Sequence, residues 1–244
     1  MDTSIIGHMD LEGGMVDVRN VRGGDGLDPI RAELDALLDS VRVATTEATE
    51  AFFASYDEDP DPIRLATWLV PRCWREMDYV YLLNEEIRRY GMRFQRRHIT
   101  LLAKQSFQEA EHYDMVGKAI ESLGGQVPTS VPAEAEPWSR FLWECLDRHP
   151  LAAVAAWNLS ETSASGSFEP TFRGAERHGL DEVTRIYQRI EKDEKFHVGL
   201  GLQMMAAYVH TDEDRAEILR SMRGMRDIAW RTFTPESVAA VRDT

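Results

Sequence analysis

The sequence predicts an all-α fold: an antiparallel four-helix bundle with additional N-terminal and C-terminal helices. Two observations lead there. Apolar residues recur every three or four positions through long segments, which are separated by glycine, proline and acidic turns. The middle of the chain also repeats itself. Gln108-Glu109-Ala110-Glu111-His112-Tyr113 is echoed 85 residues later by Asp193-Glu194-Lys195-Phe196-His197-Val198. Two single glutamates, Glu76 and Glu161, are also 85 residues apart, and each precedes its Glu-x-x-His by 33. On a helix, a Glu and a His three positions apart share one face, one turn apart.

Residues 1–27 hold no sustained period and carry Gly13-Gly14 and Gly23-Gly24, so a flexible N-terminal arm is expected. A single helical domain is expected over 28–234. Asp28 is placed to cap its first helix and Pro29 to occupy the first turn. Ile30, Leu34, Leu37, Leu38, Val41 and Ala44 carry that helix to about Tyr56, outside the bundle. After the acidic turn 57–62, Pro71 is expected to kink the next element or to start a new helix over 71–90. Gly91-Met92 turns the chain into a helix over 93–123. Gly124-Gly125 ends it, and the proline-containing segment 126–137 fits the crossover between two helix pairs. A short helix at 138–149 leads to the third principal helix, 150–176, and a turn near Gly179 to the fourth, 181–209. Asp212-Glu213-Asp214 opens a last amphipathic helix that Pro235 stops, leaving a tail at 235–244.

The whole-chain properties narrow the function. At 244 residues one substantial core can form. A net charge of -14 disfavours nucleic acid as a partner. Cys73 and Cys145 are the only cysteines, too few for a disulfide framework, zinc ribbon or iron-sulfur cluster. No segment approaches the roughly 20 apolar residues of a membrane span. The acidic, glycine-rich start is unlike a signal peptide, so a cytoplasmic location is expected.

The hairpin registers bring the repeated residues level. Glu76 lies 15 residues before Gly91, and Glu109 lies 17 after Met92; Glu161 and Glu194 flank Gly179 at 18 and 15. At 1.5 Å rise per residue each offset is only about 3–5 Å. Glu85 and Glu86 fall near the hairpin end and are set aside as ligands. Two metals between the helices follow from this placement.

One Glu from each of two helices, with Glu-x-x-His from each of the other two, resembles the ferritin-like di-iron carboxylate superfamily. The resemblance covers roughly residues 71–209, and its paired motifs look like those of acyl carrier protein desaturases, rubrerythrin-like proteins and small-molecule oxygenases. It implies that Glu76, Glu109 and His112 serve one iron, and Glu161, Glu194 and His197 the other, with Glu109 and Glu194 as bridges. It implies two Fe (Fe2+/Fe3+) as cofactor and dioxygen as co-substrate; manganese would suit the same donors. Asp193, Glu191 and Glu111 are candidates to orient the imidazoles. Positions one turn from the ligands outline a chamber: Cys73 and Val80, Gln105, Trp157, Asn158, Ser165, Ile190 and Gly201. The run Ser160–Ser167 has weak helix propensity. A bulge or kink is expected there, with room for substrate or close helix packing as its result.

The activity implied is dioxygen-dependent oxidation of a small organic substrate by hydroxylation, N-oxygenation or desaturation. The absence of Cys-x-x-Cys separates the chain from rubrerythrins, so electrons are expected from an external donor, such as a ferredoxin or reductase, or from the substrate itself. Two positions depart from the closest motifs. Gln108 stands where a second Glu is common, and Ile190 where arylamine N-oxygenase-like sites carry a further His. The second departure weighs against an arylamine substrate. Iron oxidation or storage, peroxide detoxification and a noncatalytic helical scaffold are the alternatives; a homodimer is compatible with each.

Overall fold

A computed structural model describes residues 26–233. The expected C-terminal tail and its Pro235 stop, and residues 1–25 of the expected arm, lie outside the described residues. Among those described there are seven α-helices and no strand. They are α1 (Arg31–Glu58), α2 (Pro62–Tyr90), α3 (Arg96–Ser122), α4 (Glu136–Arg148), α5 (Pro150–Arg177), α6 (Asp181–Tyr208) and α7 (Asp212–Phe233). α2 pairs with α3 and α5 with α6, and α3 meets α6 across the bundle. α1 and α7 cover the outer side of α5, and α4 packs on α5 and α7. α5 is thus enclosed, and it is buried along nearly its whole first half.

Local chemistry sets the ends. The Asp61 carboxylate accepts from Ile63 N at 2.9 Å, with Pro62 in the first turn of α2. His149 caps α5 in the same way, its Nδ1 accepting from Leu151 N at 3.2 Å. Gly124 and Gly179 have φ of +83° and +65° and end α3 and the α5 side of the second hairpin.

Three expectations are corrected. Asp28 and Pro29 form a short 3-10 turn, Asp28–Ile30, rather than the cap and first turn of α1. α2 runs unbroken through Pro71, so no new helix starts there. The carbonyl that Pro71 cannot serve belongs to Thr67, four residues back on an exposed face, so water can satisfy it. α5 likewise continues through 160–167 without a bulge. Its hydroxyls bond back along the helix: Thr162 to Asn158 O, Ser163 to Ser160 O, Ser165 to Thr162 O and Ser167 to Ala164 O. The small residues there serve packing. A Cβ on Gly166 would overlap the Arg42 carbonyl of α1, and Thr46 Oγ1 donates to Gly166 O at 2.9 Å.

Candidate metal centre

The four bundle helices bring Glu76 (α2), Glu109 and His112 (α3), Glu161 (α5), and Glu194 and His197 (α6) into one buried cluster. Two groups can each hold a metal ion: Glu76, Glu109, His112 and Glu194 in one, and Glu109, Glu161, Glu194 and His197 in the other. Glu109 and Glu194 belong to both. His112 Nδ1 lies 3.4 Å from Glu109 Oε2, 3.4 Å from Glu194 Oε1 and 3.5 Å from Glu76 Oε2. His197 Nδ1 lies 3.1 Å from Glu109 Oε1, 3.3 Å from Glu194 Oε2 and 3.9 Å from Glu161 Oε1. Each shared carboxylate therefore offers one oxygen to each side. Both Nδ1 atoms, Glu109 Oε2 and Glu194 Oε2 are buried without a hydrogen-bond partner. Buried polar atoms are seldom left so, and a cation between them completes all four. Four carboxylates and two imidazoles suit two divalent first-row ions in charge and donor type.

The outward ring nitrogens are held by a crossed pair. His112 on α3 turns Nε2 to Asp193 of α6, at 3.4 Å, and His197 on α6 turns Nε2 to Gln108 Oε1 of α3, at 3.2 Å. Gln108 Nε2 then donates to Asp193 Oδ1 at 2.7 Å, closing the chain His112–Asp193–Gln108–His197. Arg189 completes Asp193 from one turn away, at 2.5 Å. Gln105 Nε2 donates to Glu161 Oε1 at 2.9 Å and Glu109 Oε1 at 3.3 Å, tying ligands of two helices together.

Burial and mutual repulsion raise the non-shared acids. Burial pushes Glu76 up to about 7, against the pull of His112. Burial and then the Glu194 and Glu109 charges hold Glu161 well above the usual range. Burial works against the charged form of both imidazoles, yet Asp193, Glu109 and Glu76 hold His112 well above its ordinary value, and Glu109 and Glu194 bring His197 to about 9. Burial would raise Glu109, but His197 and His112 hold it well below.

The structure distributes the other expected residues unevenly. Asp193 and Gln105 touch candidate ligands, as described. Glu111 is exposed, and Glu191 pairs with Lys195 at 3.0 Å, so neither reaches an imidazole. A void of about 20 Å3, the size of one water, lies against Glu76 and Glu194. Ile190 lines it, with Ala164, Ser167 and Phe168 from α5. Ser165 is exposed instead, because the ligand face of α5 continues through 164 and 168 and turns 165 outward. Trp157 points away and donates Nε1 to Glu86 at 3.1 Å. Asn158 donates to Val198 O at 2.8 Å across a gap left by Gly201, so these two join α5 to α6 and do not line the void. Cys73 is buried, and burial pushes its thiol up to about 12, which keeps it protonated. Sequence reasoning missed Gln108 as the partner of His197. Its signal was present, since it precedes Glu109 as Asp193 precedes Glu194.

Among the described residues, no helix is long and apolar enough to cross a membrane. No protein-family model, curated protein or solved structure matches the chain. On its helical bundle and its two clustered Glu/His ligand groups, the chain matches the ferritin-like di-iron carboxylate architecture.

Proposed function

We propose that the protein is a di-iron enzyme that uses dioxygen to oxidise a small organic substrate by hydroxylation, N-oxygenation or desaturation. The observation that carries this reading is the shared geometry of Glu109 and Glu194, each with one oxygen toward either imidazole. Glu76, Glu109 and His112 would hold one ion, and Glu161, Glu194 and His197 the other. Manganese would occupy the same donors.

Two ferrous ions would supply two electrons and open positions for dioxygen. The chain's own residues do the rest. Asp193 and Gln108 fix each ring so that Nδ1 faces inward and Nε2 keeps its proton. Gln105 holds Glu161 and Glu109 in register. Burial excludes bulk water from all six donors. The void beside Glu76 and Glu194, walled in part by Phe168, Tyr187 and Ile190, leaves space for one water-sized molecule next to the donors. Each substrate hydroxylation, RH + O2 + 2 e− + 2 H+ → ROH + H2O, would use the two electrons held by the iron pair; an external ferredoxin or reductase would restore those two electrons, and the two protons would come from solvent.

The test is anaerobic loading with ferrous iron, metal quantification, and stopped-flow absorption on mixing with dioxygen. Two irons per chain, a dioxygen-dependent absorption change and its loss in Glu109→Ala are expected. Wild type and Glu109→Ala taking up iron alike would remove the metal centre. Iron accumulating far beyond two per chain would replace the oxygenase reading with storage.

A further inference from the structure

A groove of about 1130 Å3 lies between α1, α2, α4 and α7, and none of the six candidate ligands lines it. Phe52, Trp68, Phe141 and Ile228 give it an apolar wall. Its charged lining is cationic in balance: Arg64, Arg72, Arg140 and Arg231 against Glu134 and Glu144. Arg140 already pairs with Glu136 and Glu144, and Arg64 is bound to Ser55 and the Asp59 carbonyl.

Arg72 is different. It lines both this groove and the small void at Glu76 and Glu194, so it stands between the two spaces. Its guanidinium lies over the Trp68 ring, 3.4 Å from the centroid, and Nη1 donates to Trp68 O at 2.7 Å. Arg75, one turn on, lines the void as well; its Nε is buried without a hydrogen-bond partner and its guanidinium sits over Trp138. Among the described residues Arg72, like Arg64 and Arg231, forms no ion pair and is tied by a hydrogen bond to a backbone carbonyl, and Arg75 forms no ion pair either; what sets Arg72 apart is that it alone of the groove's arginines also lines the void.

The ligand carboxylates are not the missing counter-charge. Two divalent ions would cancel the four charges of Glu76, Glu109, Glu161 and Glu194, leaving the two guanidiniums uncompensated at the cavity wall. Burial pushes Arg72 down to about 9, still cationic at neutral pH. A partly desolvated cation without a counter-charge is costly, and a bound anion removes that cost. The planar guanidinium fork fits a carboxylate or phosphate through two parallel hydrogen bonds.

We propose that the groove takes an organic acid by its apolar body, and that Arg72, backed by Arg75, pairs with its carboxylate or phosphate at the side of the groove that faces the void at Glu76. This rests on the oxidative reading above and names the substrate class for it. Arg72 and Arg75 are positioning residues and take no part in the oxidation itself.

The test uses the full-length protein, metal-free and loaded with redox-inert zinc, with metal content measured in every sample. Binding of 4-phenylbutyrate, its neutral amide and phenyl phosphate is followed by calorimetry and by tryptophan fluorescence, which Trp68 beneath Arg72 makes sensitive. One or both acids should bind at least roughly tenfold tighter than the amide, the scale of a charged hydrogen-bonded pair. Which acid binds tighter separates a carboxylate from a phosphate substrate. Arg72→Met should abolish the preference while leaving amide affinity and the thermal midpoint near wild type, and Arg72→Lys should keep part of it. Equal affinity for acid and amide, no binding of either acid, or a preference that survives in both Arg72→Met and Arg75→Met would overturn the proposal. Failure of zinc uptake would instead remove the metal centre, because the acid preference is read separately in metal-free protein.

Discussion

Glu86 is a buried acid with no place at the metal centre. It lies ten residues beyond Glu76 on α2, accepts from Trp157 Nε1 and leaves Oε1 without a partner. Burial pushes it up to about 8, so it is neutral in the fold at pH 7. A carboxyl raised above its unfolded value of about 4.3 stabilises fully below that value, and the contribution is lost as pH rises toward 8. Glu86→Gln should therefore raise the melting temperature at pH 8 and do little at pH 4.5. The gain at pH 7 is at most about 4 kcal/mol. Thermal melts of both proteins across that range check it, and a pH-independent difference would contradict it. The orienting pair gives a second expectation at this scale. Asp193→Ala and Gln108→Ala should each weaken metal binding by roughly 10- to 100-fold with helix content retained, as loss of a ring-orienting partner does elsewhere. Equilibrium metal titration measures it. The six candidate ligands could be read from the sequence because a 33-residue offset and two hairpins fix their level. Gln108 was harder, because a neutral amide in a position usually held by an acid reads as a departure until its partner across the bundle is seen.

At the scale of elements, a proline in one helix is answered by a threonine in another. Pro170 lies inside α5 and lacks an N–H, so the carbonyl four residues back, Gly166 O, loses its helical donor. Thr46 Oγ1 of α1 supplies one at 2.9 Å, and the missing Cβ of Gly166 lets α1 come that close. Thr46→Val keeps the shape but leaves the carbonyl unpaired, at a cost of about 1–3 kcal/mol. Chemical denaturation should show that loss with iron content unchanged. Apolar spacing located the helices because most of them bury one stripe. It misjudged the serine run and the start of a new helix at Pro71, since propensity describes an isolated helix. A continuous helix survives these residues when its freed carbonyls find water, a back-bonded hydroxyl or a threonine from the next helix.

For the whole molecule, metal binding and proton binding compete. The metal-free cluster holds protons on His112, on His197 up to about 9 and on Glu76 up to about 7. Metal must displace them, so affinity should rise as pH increases through this range and level off above it. Calorimetry in buffers of different ionisation enthalpy should show net proton release at pH 7; affinity independent of pH would contradict this. Neither the groove nor Arg72's place between two cavities could be read from the sequence, because α1, α2, α4 and α7 build them from segments far apart in the chain.

The crossed partners of the two imidazoles are unlike: a carboxylate behind His112 and an amide behind His197. A carboxylate draws the ring proton and makes the imidazole a stronger donor, whereas an amide only orients it. The two candidate seats therefore differ by an internal asymmetry that the repeat of the chain conceals. If two ions bind, the seat at His112 should fill first and empty last, so half loading should give an ordered mixed species rather than a random one.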